Sequence, residues 1–156
     1  MNDAAVHGAW YANSSVWIAL LAWTTAQFIK FSTKAVRERR LDFTCFVSTG
    51  GMPSAHSASV SAMAASIGLR TGFDSPVFAV SLLFAGIVMF DAQSVRRAVG
   101  TQARLLNQMV EELFREHHLS QQKLAQFLGH TPLEVFAGMS LGILTAVGLH
   151  ASLFTL

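Results

Sequence analysis

The sequence predicts an all-α membrane protein. It reads as one polytopic helical bundle over residues 1–156, with about four spans and a further amphipathic helix on the cytoplasmic side. Three observations predict this. Hydrophobic residues make up 52% of the chain and charged residues only 13%, about half the charged share of soluble domains. The mean hydropathy is +0.43. Formal charges are absent from residues 4–29, 44–69, 75–90 and 135–156. A formal charge of +2 is too small to suggest a nucleic-acid partner. The single cysteine, Cys45, excludes an intrachain disulfide, and its plainest role is that of a small buried hydrophobe.

The first span is expected over residues 10–29, with Trp10 and Tyr11 at one interface. A signal peptide is the weaker alternative, because no basic region precedes the apolar part and Lys30 follows it directly. Five of the eleven basic residues then fall within residues 30–40, which reads as a cytoplasmic loop. One or two of these cations, Lys30 and Arg37 among them, remain available to bind an anion.

A second span is expected over residues 54–69, dominated by Ser, Ala and Gly. Small residues allow close helix approach in a membrane, so this span should be central. A turn around Gly72 leads to a third span over residues 76–90. Asp91, Arg96 and Arg97 crowd its far end. An acid at a membrane edge is costly unless paired or functional, and a neighbouring arginine could hold Asp91. Residues 98–119 carry Ala103, Leu106, Val110 and Leu113 at helical spacing, which predicts an amphipathic helix on the membrane surface or against the bundle. Ser120 can cap a short helix that Gly129 ends. The last span is expected over residues 135–156. Thr131, Pro132 and Glu134 before it have the spacing of a capping box, so capping alone could account for Glu134, and His130 could be a plain loop histidine.

The stretch Gly50-Gly51-Met52-Pro53-Ser54-Ala55-His56 is the focus of the chain. Glycines allow close backbone approach to a ligand. Proline suits a first helical turn, serine caps it, and a helix N-terminus favours an anion. Alone, the stretch is better read as a capped helix with an incidental histidine. The predicted topology argues for more. If the basic 30–40 stretch is cytoplasmic, alternation brings Lys30, Arg37, Ser54, His56, Asp91, Arg96, Arg97, His130 and Glu134 to that one face. Two histidines, several cations and two helix N-termini suit phosphoryl chemistry.

These residues resemble the type 2 phosphatidic acid phosphatase superfamily, the lipid phosphatases related to vanadium haloperoxidases. That family carries K-x6-R-P, P-S-G-H and S-R-x5-H-x3-D. Here six residues separate Lys30 from Arg37, Pro53-Ser54-Ala55-His56 has alanine for glycine, and His130 with Glu134 gives H-x3-E. The likeness is closer to the superfamily's divergent membrane branch, through Gly50 to His56, Asp91 to Arg97 (D-A-x-x-V-R-R) and Gly129 to Pro132 (G-H-T-P). Two positions depart: Glu38 follows Arg37 in place of proline, and Leu124 stands where the third motif has arginine. Arg97 is the favoured substitute, ahead of Arg96 and Lys123.

The resemblance implies a metal-independent lipid phosphate phosphatase without a cofactor, embedded in a bacterial inner or plasma membrane or an organelle membrane. His130 would be the nucleophile, Glu134 its orienting carboxylate and His56 the general acid. Lys30, Arg37, Arg97, Ser54 and the Gly50 and Gly51 amides would hold the phosphoryl oxygens, with Asp91 and Arg96 in support. The expected partners are the bilayer and a lipid phosphate, such as phosphatidylglycerol phosphate, phosphatidic acid or a polyprenyl diphosphate, with a homo-oligomer left open. The alternatives are a non-catalytic membrane protein that binds lipid phosphates and, less favoured, a small transporter.

Overall fold

The computed structural model describes residues 12–39, 51–113 and 129–154, all of them helices and the turns that join them. The helices are α1 (Ser14–Glu38), α2 (Ala55–Thr71), α3 (Pro76–Phe90), α4 (Arg96–Leu113) and α5 (Pro132–Phe154), with a single π-helical turn at Asp91–Val95 between α3 and α4. The all-helical class is as the sequence predicts.

The starts of α1, α2 and α3 are set by polar caps. Asn13 accepts the Ser15 N–H at 3.1 Å, so α1 begins at Ser14, and Trp10 and Tyr11 lie outside the described residues. Ser75 caps α3, accepting the Phe78 N–H at 3.2 Å, and Pro76 holds the first helical position. Ser54 caps α2. Pro53 lies before that cap, after a cis bond to Met52, and is not part of the first turn as expected from the sequence.

The basic stretch is also corrected. It is not a loop through its length, because α1 continues through Lys30, Lys34 and Arg37 to Glu38 and ends at Arg39 with φ 53°. Nothing between Ile29 and Arg39 is a helix breaker, and Lys, Ala, Arg and Glu are good helix formers. Glu38 permits the last turn, where a proline would clash with the preceding turn. The polar helix likewise starts at Arg96 rather than Ala98 and is no separate unit, since it continues α3 through the π-turn. The short helix expected after Ser120 lies outside the described residues.

Helix α2 is central and packs against α1, α3 and α5. At one end of the bundle, Ser66 donates to Ser15 at 2.9 Å and Arg70 to Ser14 at 2.6 Å, so α1 and α2 run antiparallel. At the other end, the Ser54 N–H donates to the Glu134 carbonyl at 3.0 Å, so α2 and α5 start together and run parallel. Gly138 lies against the Ser54 carbonyl and Gly142 against that of Ala58, one α2 turn apart. With no Cβ, these glycines let the two backbones meet.

The distribution of side chains is that of a protein in lipid. The buried core is largely alanine, including Ala22, Ala26, Ala58, Ala62 and Ala146, with buried serines at 54, 57, 61 and 66. The large apolar side chains face outward: Leu83 is 66% exposed, Phe84 59% and Leu144 69%. A water-soluble domain buries its large hydrophobes and does not expose apolar faces of this extent. Among the described residues, two helical segments, Pro76–Glu111 and Pro132–Ser152, are long and apolar enough to cross a bilayer. Helix α2 has 17 residues, mainly Ser, Ala and Gly, and α1 is diluted by Ser, Thr and Gln before its charged end.

Candidate active site

The start of α5 is built by its own sequence. Thr131 is the N-cap and accepts the Glu134 N–H at 3.3 Å. Glu134 returns the favour to the Thr131 N–H through Oε2 at 3.0 Å. This reciprocal capping box is the one the spacing predicts. The same Oε2 lies 3.0 Å from Nδ1 of His130. One carboxylate oxygen of Glu134 thus serves the cap and the His130 ring together. A carboxylate is an acceptor only, so a neutral His130 carries its proton on Nδ1 and leaves the Nε2 lone pair for an electrophile.

His130 is buried, 4% exposed, and Glu134 is partly buried. His56, in the first turn of α2, is exposed, and its ring centroid lies 6.4 Å from that of His130 with the planes at 59°. In-line attack puts the nucleophile about 3 Å from phosphorus. A general acid sits about 2.8 Å from the leaving oxygen. Rings this close can both reach one phosphoryl group without enclosing it between them.

Two backbone bonds fix this pair. The Ser54 N–H to the Glu134 carbonyl, at 3.0 Å, ties the cap of α2 to the first turn of α5. The His130 N–H to the Ala92 carbonyl, at 2.9 Å, ties the histidine's own backbone to the π-turn. Ser54 is fully buried, and its hydroxyl accepts from the Ser57 N–H at 3.4 Å and lies 3.1 Å from the Ser57 hydroxyl. Ala55, where the superfamily motif has glycine, is the first residue of regular helix, so no glycine-only conformation is needed there.

Lys30 is buried, 8% exposed, about two turns before the C-terminus of α1. Its aliphatic stem lies along Gly51, whose φ of 89° suits glycine, and a Cβ there would sit 3.4 Å from Lys30 Cγ and Cδ. The glycine thus lets the loop before α2 close over the lysine. Arg37 is two turns further along α1, about 10 Å by helical rise, and exposed. Asp91 is partly buried and opens the π-turn. Arg96 and Arg97 follow as the first residues of α4, with their side chains outside the described residues, as are Gly50, Lys123 and Leu124.

The structure thus gathers Lys30, Gly51, Ser54, His56, His130 and Glu134 around one end of the bundle, with the π-turn joined to them through Ala92. The Ala92 carbonyl and the Thr131 N–H were not foreseen from the sequence. Gly138 and Gly142 have a readable signal, the small-x3-small spacing of close membrane helices. The π-turn has none in single-residue propensities.

A family model described as "Divergent PAP2 family" matches residues 11–145. The chain is 43% identical over 137 residues to the uncharacterized membrane protein YuiD of Bacillus subtilis (strain 168), covering 81% of this chain and 87% of that protein. No solved structure matches it. The matched region contains the whole of the site above and all the helices except the end of α5, so the chain belongs to the divergent PAP2 family.

Proposed function

We propose that the protein is a lipid phosphate phosphatase that works through a phosphohistidine, without a metal. The observation that carries this reading is the buried His130–Glu134 pair facing the exposed His56 at 6.4 Å. His130 Nε2 attacks phosphorus while its Nδ1–H stays on Glu134, which offsets the positive charge that develops on the ring. The bond from phosphorus to the ester oxygen breaks, and protonated His56 delivers its proton to the leaving alkoxide. Neutral His56 then takes a proton from water, which attacks the phosphohistidine. The phosphorus–nitrogen bond breaks, releasing phosphate and restoring His130.

Lys30 and the Gly51 amide, with the N-terminus of α2, hold the phosphoryl oxygens, and Arg37 and Arg97 extend the cationic face. In this reading all of α1, α2, α3 and α5 cross the bilayer. The site faces the cytoplasm, because Lys30, Lys34 and Arg37 lie at the same end of α1. The exposed apolar belt keeps the substrate a membrane lipid; phosphatidylglycerol phosphate, phosphatidic acid and polyprenyl diphosphates are the candidates.

The test is phosphate release by the purified protein from a panel of these lipids in mixed micelles. Turnover of at least one is expected. Saturable binding without turnover would instead establish a non-catalytic lipid-phosphate binder. A second measurement addresses Lys30. Lys30→Met keeps the buried stem and removes the charge, and it should lower kcat/KM by roughly tenfold to a hundredfold, the worth of one charge-assisted hydrogen bond. Unchanged kinetics would remove Lys30 from the phosphate site.

A further inference from the structure

The π-turn at Asp91–Val95 interrupts an otherwise continuous helix from α3 into α4. Single π-turns are rare, and the change of register moves carbonyls off the helix's own ladder. One carbonyl here takes a donor from outside the helix: the His130 N–H donates to Ala92 O at 2.9 Å. Ala92 is itself buried, 2% exposed. In an unbroken α-helix the Ala92 carbonyl would point along the axis to the amide four residues on and would not be turned toward α5. We propose that this turn is a positioning element: Ala92, through its carbonyl, fixes the backbone of His130 so that the imidazole meets both Glu134 and His56. Its catalytic consequence rests on the phosphatase reading above, whereas the structural one does not.

The reason lies in the local sequence. Gly129 has φ 110°, and His130 and Thr131 precede the first helical residue, Pro132. The capping box holds Thr131 and Glu134 to each other, but His130 is outside it and is gripped by the helix only through its side chain. The bond to Ala92 supplies the backbone restraint, and it links the D-A-x-x-V-R-R segment to the G-H-T-P segment across 37 intervening positions. Misplacement of a nucleophile by even an ångström is costly to rate while leaving substrate binding largely intact.

Deletion of Gln93 from the full-length protein removes the extra residue of the π-turn and restores α-helical register. Replacement of the Gly129–His130 amide by an ester, made by semisynthesis, removes only the His130 donor and leaves every side chain in place. In the parent protein the His130 amide should be protected from hydrogen exchange in detergent micelles, and the Gln93 deletion should speed its exchange roughly tenfold while amides of α2 stay protected. Both altered proteins should lose roughly tenfold or more in kcat with KM changed by less than about twofold. A freely exchanging His130 amide in the parent protein overturns the proposal. So does a folded ester protein with parental kcat. A parent protein that turns over no lipid phosphate defeats the phosphatase reading instead, and the exchange result still decides whether the π-turn holds His130.

Discussion

His130→Ala is expected to eliminate both lipid phosphate turnover and the covalent intermediate, a loss of about a thousandfold or more of the kind seen when a nucleophile is removed. His56→Ala should behave differently. A general acid contributes about a hundredfold to ten-thousandfold, and its contribution shrinks when the leaving group needs no proton. With a nitrophenyl phosphate ester, His56→Ala should still form phosphoenzyme, which then accumulates because the water is no longer activated. Glu134→Gln separates the two duties of Glu134. Glutamine also serves at that position of a capping box, so the start of α5 should persist. The amide oxygen carries no charge to offset the imidazolium, so turnover should fall at unchanged thermal stability. Acid-labile phosphate labelling, read by rapid quench, checks all three variants. Label retained by His130→Ala would refute the nucleophile assignment. Equal losses for His56→Ala with alkyl and nitrophenyl leaving groups would remove the general acid.

Much of this geometry was legible in the sequence where local chemistry is decisive. Ser54 and Thr131 cap helices because each carries a short side chain with an acceptor next to an apolar run, and Glu134 stands at the third helical position. The serine and alanine content of α2 announced a central helix, because such a surface is useful only against other helices. The sequence is less telling where a residue's meaning depends on its distant neighbours. The charges of residues 30–40 suggest a loop, yet the backbone as far as Glu38 has no reason to leave α1, and the buried stem of Lys30 lies along Gly51, 21 positions away. Pro53 was expected inside the helix, because Pro and Ser adjacent to one another do not reveal which of them is the cap. The π-turn is the least legible feature. It depends on a carbonyl finding a donor in a segment 38 positions on, and no local propensity encodes that. Arginine replacement in the third motif concerns Arg97, whose place at the start of α4 is defined while its side chain lies outside the described residues.

The second large effect is expected from a single methyl group at Gly138. A Cβ at this position would fall inside van der Waals contact of the Ser54 carbonyl oxygen and 3.0 Å from Ser57 Cβ. The first is a backbone atom that also accepts the Ala58 N–H at 3.0 Å, so it has no rotamer through which to escape. Helix α5 must move away from α2. That movement acts one turn below the bond between the Ser54 N–H and the Glu134 carbonyl, which holds the two helix starts together. Gly138→Ala should therefore destabilise the protein by about 1–3 kcal/mol, as overpacking does. It should also depress kcat by widening the His56–His130 separation. Gly148→Ala is the internal comparison. It lies on the same helix, and a Cβ there meets nothing within 4 Å. Removing a helical glycine at an open site should be neutral or stabilise by up to about 1 kcal/mol. Thermal unfolding of the two variants in one detergent, with lipid phosphate turnover measured beside it, checks the contrast. If Gly138→Ala proves as stable and as active as Gly148→Ala, then the close α2–α5 approach does not set the geometry of the site, and the small residues of α2 serve only to fill space.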